Sequence, residues 1–76
     1  MNRREREVYE RYEAEGWKPL RNGAPDFVML RVEGDEITAI MGVEVKGPHD
    51  KMRYEQSIYK RIFEKAGIPF KVEVVK

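Results

Sequence analysis

Three side chains in this sequence have the types and spacing to do chemistry together: Asp26, Glu44 and Lys46. Two carboxylates can share one hard cation, because an ion such as Mg2+ takes oxygen ligands at about 2.1 Å and offsets their mutual repulsion. Glu44 and Lys46 are two positions apart, so on a strand they project from one face. A cation held by two acids beside an ammonium group suits phosphodiester hydrolysis. The cation activates water, and the ammonium steadies the nucleophile or the negative charge building on phosphorus.

That chemistry needs Asp26 and Glu44 side by side, so the segments carrying them matter most. Asp26 to Val32, DFVMLRV, is rich in residues that suit a sheet. The polar stretch around Gly34 and Asp35 reverses the chain, and Ile37 to Lys46 reads as the returning strand. With Gly34, Asp35 and Glu36 as a three-residue loop, Glu33 lies opposite Ile37, and counting back sets Asp26 opposite Glu44. Opposed residues of an antiparallel pair hold their Cβ atoms roughly 4.5 to 5.5 Å apart. A slip of one residue would offset the acids. Ile40 shares the face of Glu44, so a charge replaces a core residue there. A purely structural reading competes: Asp26 caps the Gly-Ala-Pro turn, and Glu44 and Lys46 pair on an edge strand.

The flanking segments supply the frame. Residues 2 to 15 are helix-like, with Glu5, Val8, Tyr9 and Tyr12 in one stripe. Glu5 could reach a cation or one of its waters, or simply favour the helix dipole. Gly16 ends this helix, Trp17 to Leu20 is a short extended piece, and Arg21-Asn22-Gly23 turns the chain. Gly47 and Pro48 stop the third strand, and Asp50 is placed to cap a second helix from about Lys51 to Ala66. Its stripe comprises Met52, Ile58, Tyr59, Ile62, Phe63 and Ala66. Gly67 and Pro69 terminate it, and Phe70 to Val75 forms the last strand. Short turns make the first three strands antiparallel, whereas a right-handed crossover helix makes the last parallel to the third. The expectation is an α/β layer architecture in a single domain, residues 1–76.

A chain of 76 residues lies near the lower limit for a self-supporting core, and without cysteine it has no disulfide or zinc staple. A homodimer is expected for this reason. No apolar run approaches the roughly 20 residues needed to span a bilayer. The charged opening MNRREREVYE is followed by no apolar run, so an intracellular location is expected, cytoplasmic or nucleoid-associated. The net charge of +1 hides an uneven distribution. Asp26, Glu33, Asp35, Glu36 and Glu44 make the middle acidic, while Lys46, Lys51, Arg53, Lys60, Arg61 and Lys65 follow it. Acidic flanked by basic fits a cation site beside a phosphate-binding surface.

These residues, in this order, resemble the PD-(D/E)xK nuclease superfamily: Gly23-Ala24-Pro25-Asp26, then Glu44-Val45-Lys46. Within it the chain is most similar to the VRR-NUC type, whose lysine strand runs into a Gly-Pro corner, an aspartate and a glutamine, here EVKGPHDKMRYEQ. Glu5-Arg6-Glu7-Val8 and Gly16-Trp17 also resemble archaeal Holliday-junction resolvases. The resemblance implies a restriction-endonuclease-like αβββαβ core with a mixed four-stranded sheet. It implies an endonuclease that uses Mg2+ or Mn2+ to hydrolyse DNA, acting as a homodimer on branched or structured substrates. By the same resemblance the metal set is Asp26, Glu44 and Val45, Glu5 is the acid of the first helix, and Arg21 is a basic residue near the phosphate. Gln56 faces Lys46 or the scissile phosphate. Arg53, Lys60 and Arg61 are expected to contact backbone phosphates, which position a duplex without reading its sequence. His49 reads as a turn or cap residue, and Tyr54 and Tyr59 as core or interface packing. The alternative is a binding protein that keeps a nuclease fold without turnover.

Overall fold

The computed structural model describes residues 1–76. Its elements are α1 (Arg3–Ala14), β1 (Lys18–Arg21), β2 (Phe27–Glu33), β3 (Glu36–Lys46), α2 (Tyr54–Lys65) and β4 (Phe70–Val74). The strands form one mixed sheet in the order β1-β2-β3-β4, antiparallel through β3 and parallel between β3 and β4. This is the expected αβββαβ architecture. No helix is long and apolar enough to cross a membrane.

α1 starts with a capping box. The Asn2 side chain accepts from the Glu5 N–H at 2.8 Å, and the Glu5 carboxylate accepts from the Asn2 N–H at 3.4 Å. Its Val8 and Tyr12 bury against Phe27, Met29, Met41, Val43 and Val75, so the core lies between α1 and one face of the sheet. The Tyr12 hydroxyl donates to Glu73 at 2.6 Å, and Arg11 pairs with the same carboxylate at 2.6 Å, tying α1 to β4. Burial alone would raise the Glu73 pKa, but the hydrogen bonds from Tyr12 and Arg11 and the Arg11 charge outweigh it and hold it low.

The central hairpin closes differently from expectation yet delivers the expected pairing. Glu33 pairs with Glu36 and Val32 with Ile37, so the turn is Gly34-Asp35, two residues rather than three. Gly34 adopts φ +60, a region open to glycine without a Cβ clash. Arg31 then pairs with Ala39, which leaves Thr38 as an unpaired bulge residue whose hydroxyl donates to the Arg31 carbonyl at 3.3 Å. The bulge makes up the residue that the shorter turn omits. From there the ladder runs to Phe27 opposite Val43, its last pair, and Asp26 just before it accepts from the Val45 N–H at 2.8 Å, beside Glu44. β2 itself begins at Phe27 rather than Asp26.

α2 covers the opposite face of the sheet, and only in part. It approaches β3 closely at Gly42, where an added Cβ would lie 2.8 Å from the Phe63 ring and 2.9 Å from Phe70. The two rings meet edge to face at 5.6 Å between centroids. The expected apolar stripe holds in part: Met52, Ile58 and Phe63 are half-buried, whereas Tyr59, Ile62 and Ala66 are exposed. The helix also starts at Tyr54 rather than Lys51, with Arg53 and not Asp50 at its cap position. Asp50 is engaged elsewhere, as an acceptor for the Gly47 N–H at 2.7 Å.

Candidate active site

Strand alternation decides which face each group serves. Phe27 and Val43 enter the core under α1, so Asp26 and Glu44, next to them in the chain, turn to the α2 side. Asp26 follows a loop in which the Asn22 N–H donates to the Asp26 carbonyl at 2.9 Å and the Asn22 amide donates to the Ala24 carbonyl at 3.0 Å. Its own Oδ2 accepts from the Val45 N–H at 2.8 Å, which fixes the carboxylate across the strand that carries Glu44 and Lys46.

Glu44 is 1% exposed and Lys46 is 8% exposed, both unusual for charged side chains without a direct partner. No ion pair joins them; Gln56 stands between. Its Oε1 accepts from Lys46 Nζ at 2.6 Å and from the Arg53 N–H at 2.9 Å, while its Nε2 donates to Glu44 Oε1 at 3.2 Å. One amide thus binds the acid, the amine and the start of α2. The glutamine is the one fully buried residue of α2, and its amide faces Lys46.

Glu44 Oε2 is buried and has no hydrogen-bond partner. A buried carboxylate oxygen left bare is costly unless a proton or a cation satisfies it. Burial pushes the Glu44 carboxyl up to about 8, and the neighbouring Asp26 carboxyl adds to the shift, while Lys46 and Arg53 pull against it. The two carboxylates, Asp26 and Glu44, offer hard oxygen donors of the kind a divalent cation such as Mg2+ prefers. The bare Glu44 oxygen beside a second acid fits such an ion.

Glu5 is not drawn into this set. Its carboxylate closes the cap of α1, and no third acid, histidine or cysteine completes a cluster with Asp26 and Glu44. Arg53 lies beside the site, at the cap of α2, and its charge acts on Glu44. Arg21 is exposed at the end of β1, Lys60 half-buried on α2 and Arg61 exposed. Tyr54 is 79% exposed on the rim of the depression between the Gly23–Ala24 loop and the start of α2, so it is not core. Two features escaped the sequence reading: the double engagement of Gln56 and the part played by Asp50. A corner of Gly-Pro-His-Asp gave the signal for the second, since an aspartate can fold back onto the N–H three residues before it.

An αβββαβ fold with a buried acid and lysine converging on one face is the arrangement of the PD-(D/E)xK nuclease superfamily, to which the VRR-NUC domain belongs. The VRR-NUC domain family model matches residues 2–76, and the chain belongs to that family. A search of curated proteins and one of solved structures each return no match.

Proposed function

We propose that this domain is a metal-dependent DNA endonuclease, with Asp26, Glu44 and the Val45 carbonyl holding Mg2+ or Mn2+ and Lys46 and Gln56 serving the reacting phosphate. The bare buried oxygen of Glu44 carries this reading. A bound divalent cation would supply Lewis acidity toward a phosphoryl oxygen and make a bound water more acidic. Asp26 and Glu44 give that ion its place, and the hydrogen bond from Val45 holds Asp26 still. Lys46, kept at the site by Gln56, offers a positive donor to charge developing on phosphorus. Gln56 keeps the Glu44 carboxylate and the ammonium in register by binding both. Arg53, Arg21, Lys60 and Arg61 are proposed phosphate contacts, with Arg53 nearest the acids.

A homodimer acting on branched or structured DNA is the finer part of the proposal. Its support is the apolar row Ile58, Ile62 and Ala66 on α2, which lines a surface depression with Arg61 and Lys65, together with exposed Ile37 and Ile40. A second copy covering that row would pair two sites. The two-acid centre leaves one competitor, a binding module that keeps the fold without turnover.

The test uses four-way, flap and linear duplex DNA in Mg2+ or Mn2+, with Asp26→Asn as control. Cleavage is expected with the native chain, is lost in EDTA, and is absent in the variant. DNA affinity that falls with salt and ignores the metal, with no scission on any substrate, would instead establish the binding module.

A further inference from the structure

The strand end that carries Lys46 is clasped by Asp50 just beyond it and by Val75 and Arg4 from the two ends of the chain. The Val75 N–H donates to the Lys46 carbonyl at 2.8 Å. The Gly47 N–H donates to Asp50 Oδ2 at 2.7 Å, and the Asp50 N–H returns a bond to the Gly47 carbonyl at 3.2 Å. Arg4 Nε donates to the Val75 carbonyl at 2.9 Å. Its guanidinium packs so closely on Gly47 that a Cβ there would lie 3.1 Å from Arg4 Cζ and 3.1 Å from Asp50 Oδ2. Both polar groups of the peptide joining Lys46 to Gly47 are therefore committed, the carbonyl to Val75 and the N–H to Asp50.

Sheet pairing ends at this point, since the last β3–β4 partners are Lys46 and Val74. A strand end with free polar groups opens locally at little cost. The lysine ammonium sits on a flexible four-carbon stem, so its position is only as fixed as its backbone and its single partner, Gln56, allow. The Asp50 carboxylate makes no hydrogen bond to Asp26, Glu44 or Gln56; its bond is to the backbone beside Lys46.

We infer that Asp50 is a positioning residue: its grip on the Gly47 N–H aims the Lys46 ammonium at the reaction centre. The inference rests on the nuclease reading above. Displacement of a reacting group by about 1 Å can lower a rate about 100-fold. Neutralising the carboxylate while keeping its acceptor oxygen should therefore matter little, and removing the oxygen should matter a great deal.

The experiment measures DNA cleavage in Mg2+ by the full chain and by Asp50→Ala, Asp50→Asn and Gly47→Ala. Gly47→Ala disturbs the same clasp from its other side. We expect Asp50→Ala and Gly47→Ala to lower kcat about 10- to 100-fold with KM within about 3-fold, and Asp50→Asn to stay within about 3-fold of native on both. A second readout needs no activity: the rate at which an N-hydroxysuccinimide ester acylates Lys46 in DNA-free protein, followed by mass spectrometry. It should rise in the Ala variants and not in Asp50→Asn. Where Asp50→Ala fails to fold by circular dichroism, Gly47→Ala and Asp50→Asn decide the matter. Native kcat together with unchanged Lys46 acylation in Gly47→Ala or Asp50→Ala would overturn the inference. So would an equal loss in Asp50→Asn, which would mean that the charge matters and not the grip. If the native chain cuts nothing, the nuclease reading falls, while the acylation rates still decide whether Asp50 holds Lys46.

Discussion

Replacing Glu44 with Gln in metal-free protein should stabilise the fold at alkaline pH and remove a pH dependence that the native chain carries. Burial, then Asp26, push the native carboxyl from 4.5 up to about 8. Between those values the folded chain keeps a proton that the unfolded chain has released, so stability falls as pH rises. Below the lower value both states are protonated and the cost vanishes; above the higher one it is fully present. At about 1.36 kcal/mol per unit the shift corresponds to a ceiling of about 5 kcal/mol. Relaxation and water entry at the sheet end should reduce this to about 2 to 3 kcal/mol. In a domain this small that is roughly 10 to 20 °C in Tm. Glutamine mimics the protonated acid in shape: it can donate toward Asp26 while its carbonyl accepts from Gln56. Thermal unfolding in EDTA from pH 5.5 to 9 should show a falling native Tm and a level one for Glu44→Gln. Mg2+ should restore the native protein at pH 8.5 and leave the variant unmoved. A native Tm that stays level across the range, or a variant that declines in parallel, would refute the reasoning.

Gln56→Ala should lower stability by about 2 to 3 kcal/mol in chemical denaturation, because it strands Glu44, Lys46 and the Arg53 N–H at once, and it should abolish cleavage. Gly42→Ala should cost about 1 to 3 kcal/mol, since its Cβ would press into Phe63 and Phe70, and the accompanying shift of α2 should show in aromatic near-UV dichroism. Glu73→Gln should cost about 1 kcal/mol at pH 7, a small value because the ion pair with Arg11 is partly solvated. The Glu73 pKa is depressed, so its contribution is present above the unfolded value of about 4.3 and disappears as pH falls through the folded one. Acid titration of stability should therefore be shallower in that variant than in the native chain.

The architecture was legible because each element carried its own period and punctuation. Val8 and Tyr12 marked the buried side of α1, and glycines at 16, 34 and 67 with positive φ marked places where the chain turns. The nearness of the two acids was legible because alternation sets their shared face and the register from Arg31 and Ala39 onward is the one the simple loop count gives. Hairpin detail was not, since a three-residue loop without a bulge and a two-residue turn with one give the same downstream partners. The start of α2 was misplaced for a different reason. Asp50 has the chemistry of a cap, and local sequence does not say whether it bonds forward to a helix or back to Gly47. Helix periodicity overstated the core of α2, because Ile40 and Val72 on the sheet stay partly exposed and Ile62 faces solvent. Gln56 could not be told from a surface amide by spacing; its burial follows from Lys46 and Glu44 lying directly below.

The unpaired Thr38 gives the hairpin tip slack. Sliding Val32 and Glu33 by one position against residues 37 and 38 would trade the bulge for a longer loop and leave every partner from Arg31 and Ala39 onward in place. The tip can thus breathe, lose Thr38 outright, or accept a grafted turn, while the far end of the ladder feels nothing. Mutational noise at the exposed tip is absorbed before it can travel down the strands to Asp26 and Glu44.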